Sequence, residues 1–190
     1  MKKIFSFDAE TDGLWGNPFA IAAIVYDESG NQSDAFIAKM PPHVISNEWV
    51  RQNVLPALQD VLVSHNTYEK MLADFAEFYL RHKSDSDIIC HVGMPVEAHL
   101  IREMHRLGLI GDWDAPFPLI DIAGNLKQVG EDPISVDAYA KKYGLEISDY
   151  GTTHNPLYDC EVAAKVYMDL CGNKRFRKPT TEKWPKHGWH

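Results

Sequence analysis

Cysteine and long hydrophobic runs are both scarce in this 190-residue sequence. The three cysteines, Cys90, Cys160 and Cys171, form no CxxC pair and leave an odd one, so we expect neither a disulfide framework nor a zinc ribbon. No apolar run approaches the roughly 20 residues of a membrane span. The N-terminus also lacks the apolar stretch and the cleavage site of a signal peptide. We therefore expect a cytoplasmic protein.

Positive charge is in short supply as well, because 19 lysines and arginines stand against 27 aspartates and glutamates, a formal net charge of −8. Taken alone, this balance argues against a nucleic-acid partner. The charge is unevenly distributed, however. From Cys171 onward six bases and one acid give +5, and subtracting this from −8 leaves −13 for the preceding residues. Part of that acidic excess could be a carboxylate cluster that binds metal ions, and most of it is expected on the solvated surface.

A hydrophobic content of 45% over this length is enough for one globular domain with a sizeable core. We assign the domain to residues 1–172. Residues 173–190 then form a basic C-terminal tail, either a poorly ordered end or a segment that grips phosphates with the help of its aromatic residues: Phe176, Trp184 and Trp189.

The order of the predicted elements indicates an α/β fold. Short apolar segments predict five strands: 3–8, 19–27, 33–40, 87–92 and 119–122. The first three are joined by tight turns, as in antiparallel hairpins. The others alternate with amphipathic patterns, as in βα units that add parallel strands. Helices are predicted to begin at the caps Ser46 or Asn47, Ser135 and Asn155, and at Pro95 as a first helical residue. The apolar pattern from Thr67 to Arg81 predicts a further amphipathic helix. We expect a mixed five-stranded sheet with helices on both faces.

Two carboxylates, Asp8 and Glu10, end the first predicted strand. Residues i and i+2 of a strand point to the same face. Carboxylates held side by side repel, which raises their pKa values unless a cation neutralises them. The pair could simply be a polar strand end before a turn. Here, however, it follows an apolar strand and stands in the sequence Asp-Ala-Glu-Thr-Asp-Gly-Leu, which is a more specific pattern than an isolated Asp-x-Glu.

A second motif, His154-Asn-Pro-Leu-Tyr-Asp159, opens the last predicted helix. If Asn155 caps this helix, Asp159 lies near its first turn and His154 lies in the loop just before it. Both side chains can then face one point. The alternative is that Asp159 is only a favourable charge near a helix N-terminus.

Together the two motifs resemble the DEDD superfamily of 3′→5′ exonucleases, whose fold is RNase H-like. Phe-Asp-x-Glu-Thr-x-Gly-Leu at 7–14 is similar to the first motif, and His-x-x-x-x-Asp at 154–159 is similar to the third motif of the histidine subclass, DEDDh. The segments 118–123 and 135–145 also match, so the resemblance spans roughly residues 3–171. The sister subclass would place a tyrosine at position 155, which is asparagine here, and Tyr158 is expected to be a packing residue.

The second motif departs from the family pattern. An aspartate is expected near the start of the helix after the fourth strand, where this chain has Cys90-His-Val-Gly-Met-Pro-Val-Glu97. Glu97 is the best candidate for the missing carboxylate, with a first-turn helix acid as its alternative role. Asp87 and Asp121 are weaker candidates. His91 either replaces the family histidine near this motif or is a strand-end residue.

The resemblance implies two divalent metal ions, Mg²⁺ or Mn²⁺, held by a set of carboxylates in which Asp8 bridges both ions: Asp8, Glu10, Asp159 and Glu97. Glu97 is expected to act mainly from outside the direct ligands. His154 would be the general base, a task that suits a group whose pKa lies near neutrality.

The resemblance also implies a partner, single-stranded nucleic acid with a free 3′ end. Thr11 would bind the terminal sugar, Leu14 would wedge against the last bases and Trp15 would stack on them. Alternatively, Leu14 and Trp15 belong to a surface turn that folds back on the core. The segment 48–58 is similar to a bacterial branch of small DEDDh exoribonucleases, which favours RNA over DNA.

Several other functions remain open at this stage. They are an RNase H-like nucleic-acid-binding module with impaired catalysis, an endonuclease that uses the same metals, and a phosphodiesterase specific for dinucleotides. A homodimer is common in the family that the sequence resembles.

Overall fold

The structure is a computed structural model, and it describes residues 2–148 and 151–172. Its centre is one sheet with the strand order β3-β2-β1-β4-β5. The strands are β1 (Lys3–Thr11), β2 (Pro18–Tyr26), β3 (Gln32–Lys39), β4 (Ser86–Cys90) and β5 (Leu119–Asp121). The first three pair antiparallel, whereas β4 pairs parallel to β1 and β5 parallel to β4. The predicted mixed five-stranded sheet is confirmed.

Six α-helices are seen in the described part of the chain: α1 (Glu48–Asn53), α2 (Tyr68–His82), α3 (Val96–Arg106), α4 (Ile122–Gln128), α5 (Val136–Tyr143) and α6 (Pro156–Leu170). Short 3-10 turns cover Pro42–Val44 and Leu55–Leu58. The predicted caps Ser135 and Asn155 each accept a hydrogen bond from a backbone N–H of the first turn, and of the two candidates Ser46 and Asn47 it is Asn47 that caps α1 in this way. Thr67 caps α2 with the same kind of bond. Pro95 takes the capping position of α3 and does not begin the helix.

The helices cover the sheet on both faces. Successive residues of a strand point to opposite faces, so Phe5 and Phe7 pack in one core with α2 and α3, whereas Ile4 packs in a second core with α4, α5 and α6. Because both faces are covered, all nine residues of β2 are buried, as its nearly continuous apolar sequence predicts. Asp8 lies on the same face as Ile4 and so points toward α6.

The observed strands differ from the predicted ones mainly at β1, which extends to Thr11 because Thr11 pairs with Pro18 of β2. Glu10 and Thr11 are therefore part of the central strand and not of the turn. The tail, with its bases and aromatic residues, lies outside the described residues. No helix among the residues that are described has the length and hydropathy that crossing a membrane requires.

Candidate active site

The central strand opens on one side where the carboxylates begin. β4 pairs with β1 only from Lys3 to Ser6, whereas β2 follows β1 along its whole length. From Phe7 onward the β4 side of the strand is therefore available to other groups. Asp8 and Glu10 lie in this open stretch, next to a cavity of about 240 Å³.

The start of α6 brings the second motif to the same cavity. Pro156 is the first helical residue and Asn155 the cap, so the chain enters the helix directly after His154. The backbone N–H of His154 donates to Asp159 Oδ2 at 2.9 Å, and His154 adopts a positive φ of 72°. Ligand oxygens of Asp8, Glu10 and Asp159 all lie within 4.8 Å of one another.

Glu97 reaches the cavity from the first turn of α3. Its side chain is only 3% exposed, and Oε1 accepts a hydrogen bond from the backbone N–H of Ala9 at 3.4 Å. This N–H lies in the part of β1 that β4 does not pair. Glu97 lines the cavity with the other three carboxylates but does not belong to the group within 4.8 Å.

The pKa of each of the four carboxylates is raised above its usual value. Burial is the largest cause for each of them. The pKa of Asp8 is raised well above its usual value by burial and by the charges of Asp159, Glu97 and Glu10. Burial and Glu10 raise the pKa of Asp159 to about 7, and burial raises the pKa of Glu97 to about 8. Four ionised carboxylates this close together repel one another, and bound positive charge would stabilise them.

His154 supplies a basic group at the edge of this cluster. Its Nδ1 lies 3.5 Å from Glu10 Oε1, and this contact raises the pKa of His154 above its usual value. Asp8, Glu10 and Asp159, with Glu97 behind them, could hold hard divalent cations, which take oxygen ligands. The number and charge of these oxygens fit Mg²⁺ or Mn²⁺.

The two weaker candidates for the missing carboxylate have other positions. Asp121 ends β5 and accepts hydrogen bonds from three backbone N–H groups, those of Val92, Gly93 and Ala123. Asp87 lies near the beginning of β4, where the Tyr167 hydroxyl donates to it at 3.2 Å, and lines a different hollow of about 250 Å³. Because β1 and β4 run parallel and Asp87 pairs with Ile4, this hollow is at the opposite end of the sheet from Glu10.

The structure also shows where the other residues predicted near the site lie. Leu14 and Trp15 are 61% and 70% exposed, so they do not fold back on the core, whereas Thr11 is buried. His91 lines the cavity, and its Nε2 donates to the carbonyl of Pro133 at 2.9 Å. Tyr158 packs against the second core and donates its hydroxyl proton to Asp137.

A second, largely apolar hollow of about 380 Å³ adjoins the carboxylates and contains a residue that the sequence interpretation missed. Leu14, Trp49 and Val96 line it, and it shares Glu10 and His154 with the first cavity. Trp49 is 59% exposed, and its ring meets the His154 ring edge-on at 6.1 Å between centroids. In the sequence, what could have pointed to this residue is a tryptophan in the first turn of a short predicted helix, inside the segment 48–58.

The close approach of Gly93 to Cys90 yields a first prediction. A Cβ on Gly93 would lie 2.4 Å from the buried Cys90 Sγ. We expect Gly93→Ala to lower the free energy of unfolding by about 1–3 kcal/mol, because the turn is overpacked. Adding Cys90→Ala should recover part of this loss. Urea denaturation without metal measures both variants.

Gly124→Ala is the matched control for this prediction, because Gly124 lies inside α4 with nothing within 4 Å of the added Cβ. Alanine is favoured over glycine inside a helix, so Gly124→Ala should be neutral or stabilising. Equal stability of Gly93→Ala and the unchanged protein would contradict the steric argument.

Comparison with known proteins gives structural neighbours only. No family model and no curated protein matches the sequence. The nuclease domain of 3′hExo, described as a DEDDh family member bound to rAMP, superposes with a TM-score of 0.64 at 12% identity, over 93% of this chain and 94% of that one. Pop2p of S. pombe, in a Mg²⁺- and Mn²⁺-bound form, gives 0.62 at 13% identity, over 90% and 84%.

Exonuclease X, in complex with 5′ overhanging duplex DNA, gives a TM-score of 0.54 at 20% identity, over 89% of this chain and 91% of that chain. At these identities the similarity shows the fold. The RNase H-like architecture that the two sequence motifs implied is therefore confirmed.

Proposed function

We propose that this chain is a metal-dependent 3′→5′ exonuclease of the DEDDh class that acts on single-stranded nucleic acid. The observation that carries the proposal is the convergence of Asp8, Glu10 and Asp159 from two separate elements, with Glu97 and His154 on the same cavity. The fold shared with the DEDDh nuclease domain of 3′hExo supports it. The form of Pop2p that binds Mg²⁺ and Mn²⁺ supports the choice of metals.

Two Mg²⁺ or Mn²⁺ ions, bound by Asp8, Glu10 and Asp159 with Glu97 acting from outside them, would activate the attacking water and stabilise the leaving oxygen. Asp8 would bridge the ions. Its pKa is raised by all three of the other carboxylates, as expected for a residue at the centre of the cluster.

His154 takes the proton from the attacking water in this proposal. With Nδ1 3.5 Å from the Glu10 carboxylate, the tautomer with the proton on Nδ1 is favoured, which leaves Nε2 free to accept. The water oxygen then forms a bond to phosphorus and the bond from phosphorus to the 3′ oxygen breaks. The products are a nucleoside 5′-monophosphate and a strand shortened by one nucleotide with a new 3′-hydroxyl.

The apolar hollow beside the carboxylates would hold the last nucleotide. Leu14 and Trp49 present apolar surface to it, and Thr11 lies at the base of the same hollow, where it would bind the terminal sugar. Trp15, exposed on the neighbouring turn, would stack on an adjacent base.

We extend the proposal to domain limits and substrate. Residues 1–172 would form the catalytic domain, and the basic residues of the tail 173–190 would add contacts to phosphates. RNA is the favoured substrate, on the similarity of the segment 48–58 to small exoribonucleases. The protein is proposed to be cytoplasmic and to form homodimers. Gel filtration with light scattering tests the dimer.

The decisive experiment compares 3′-labelled with 5′-labelled oligomers of RNA and DNA, with and without Mn²⁺, and uses Asp8→Asn as the control. We expect single-nucleotide products from the 3′ end that depend on Mn²⁺ and are absent with the variant. Binding of the oligomer without any release would instead identify a module with impaired catalysis. Cutting of a circular strand would identify an endonuclease, and turnover confined to dinucleotides would identify a small phosphodiesterase.

Replacing Trp49 is expected to weaken substrate binding. Stacking of a base on an aromatic side chain contributes roughly 1–3 kcal/mol, so Trp49→Ala should raise KM by about 5- to 150-fold. The value of kcat should change little, because Trp49 carries no group that takes part in proton transfer. Steady-state kinetics with a 3′-labelled oligomer measures both constants.

Trp113→Ala is the control for this prediction, because Trp113 is 88% exposed and lines the hollow at the other end of the sheet. It should leave KM unchanged. A KM for Trp49→Ala equal to that of the unchanged protein would show that the last base does not bind in the apolar hollow.

A further inference from the structure

The turn between β4 and α3 contains a strained residue. Val92 has a φ of 55°, in the left-handed region that a β-branched side chain rarely adopts. Such a conformation persists only where the surroundings determine it, and it often marks a functional segment. Here the turn connects the central sheet to Glu97, the residue that stands where the family has an aspartate.

One carboxylate holds this turn in place. Asp121 Oδ1 accepts from the N–H of Val92 at 3.0 Å, and Oδ2 accepts from the N–H of Gly93 at 3.0 Å. Oδ1 also accepts from the N–H of Ala123, which fixes the carboxylate at the start of α4. Two consecutive N–H groups of the turn are thus bound by one side chain from the neighbouring strand.

The clamped turn is joined directly to the helix that carries Glu97. The carbonyl of Gly93 accepts a hydrogen bond from the N–H of Ala98 at 2.9 Å, inside the first turn of α3. Glu97, which precedes Ala98, then bonds the N–H of Ala9 between Asp8 and Glu10. A continuous series of hydrogen bonds therefore links Asp121 to the centre of the carboxylate cluster.

A glutamate at this position depends on a fixed helix start more than an aspartate would. Its side chain has one more rotatable bond, so its carboxylate position depends more strongly on where the helix begins. We propose that Asp121 is a positioning residue, which clamps the turn at Val92 and Gly93 so that α3 directs Glu97 into the candidate active site. The proposal rests on the exonuclease function proposed above for its kinetic consequences, but the clamp itself can be tested without activity.

The kinetic test uses Asp121→Ala alone and combined with Glu97→Gln. Groups that surround the direct ligands of a metal site typically change activity by about 10- to 100-fold when they are removed. Glu97 is proposed to be such a group and Asp121 to position it, so Asp121→Ala should lower kcat by up to that factor and leave the KM for the oligomer near its original value. In the chain that already carries Glu97→Gln, the same change should have little further effect, because residues that act through one another are not additive.

The structural test uses the cysteines as reporters. Cys90 lies under the clamped turn and Cys160 lies in the other core; both are fully buried, whereas Cys171 is exposed. In a Cys171→Ser background, a thiol reagent should label Cys90 in Asp121→Ala and leave Cys160 protected, as identified by mass spectrometry. If alanine opens the whole fold and Cys160 is also labelled, Asp121→Asn replaces it. Asparagine keeps one acceptor but presents its amide to the N–H of Val92 or Gly93.

Asp27 provides a matched control, because its carboxylate also accepts from two backbone N–H groups, those of Ser29 and Asn31, in a hairpin remote from Glu97. Asp27→Ala should change neither kcat nor the labelling of Cys90. A loss of kcat on Asp121→Ala that is equally large with Glu97→Gln would overturn the positioning role. A protected Cys90 in both Asp121 variants would overturn the clamp, even if the protein released no nucleotides and the proposed function failed.

Discussion

Asp8→Asn is expected to abolish nucleotide release and at the same time make the metal-free protein more stable at pH 8. The first effect follows because Asp8 is the carboxylate that would contact both ions in the proposed mechanism. Metal-assisted stabilisation of charge contributes several kcal/mol to such reactions, so the rate should fall on the order of 1,000-fold or more. Release from a 3′-labelled oligomer in Mn²⁺ measures this loss.

The gain in stability follows from the raised pKa values. Glu97 and Asp159, with pKa values of about 8 and about 7, have ordinary values of 4.5 and 3.8. Between pH 4 and pH 8 the folded protein therefore holds protons that the unfolded chain has released. The stability of the metal-free protein must then fall as the pH rises through this window.

Removing the charge of Asp8 relieves part of this repulsion. One unit of pKa shift corresponds to about 1.4 kcal/mol. Each kcal/mol relieved should raise the Tm of the metal-free variant at pH 8 by about 2–4 °C, as is typical of a protein of this size. Mn²⁺ should raise the Tm of the unchanged protein, because it binds the folded state alone, and should raise that of the variant much less.

Asp132→Asn is the control, since Asp132 lies in an exposed turn, where its carboxylate accepts a hydrogen bond from the backbone N–H of Ile134. It should change neither activity nor the response to Mn²⁺. A metal-free protein that became more stable from pH 6 to pH 8 would contradict the direction of the shifts. Full activity of Asp8→Asn would remove the basis of the proposed function.

Much of the fold could be predicted from local chemistry. The caps Ser135 and Asn155 were recognised, and Asn47 as one of two candidates, because short polar side chains satisfy backbone donors that every helix start leaves free. β2 was recognised from its apolar run, which only a strand covered on both faces can bury. These features depend on nearby residues, so the sequence alone contains them.

The parts of the site that could not be predicted depend on contacts between distant segments. Asp8, Glu10, His154 and Asp159 follow from two motifs, but the role of Asp121 requires knowing that β5 lies beside β4. The left-handed conformation of Val92 could not be predicted either, because a β-branched residue rarely adopts it. Trp49 looked like part of a short surface helix, and only the folded chain shows that it lines the same hollow as His154 and meets its ring.

Asparagine in place of His154 is expected to lower kcat by about 100- to 10,000-fold, the range that a positioned general base contributes. Asparagine is the informative substitution because His154 has a positive φ, and asparagine adopts that conformation more readily than alanine does. Its backbone N–H can still donate to Asp159, so the start of α6 and the position of Asp159 should be kept.

Three measurements separate the loss of a base from damage to the site. The KM for the oligomer should change little, since the imidazole is required for proton transfer and the apolar hollow keeps Leu14 and Trp49. The rise in Tm caused by Mn²⁺ should persist, because Asp8, Glu10 and Asp159 remain. High pH should restore part of the rate as hydroxide replaces the base. If His154→Asn kept the full kcat, the proton would be taken by another group, and the pairing of His154 with Glu10 would serve only to balance charge.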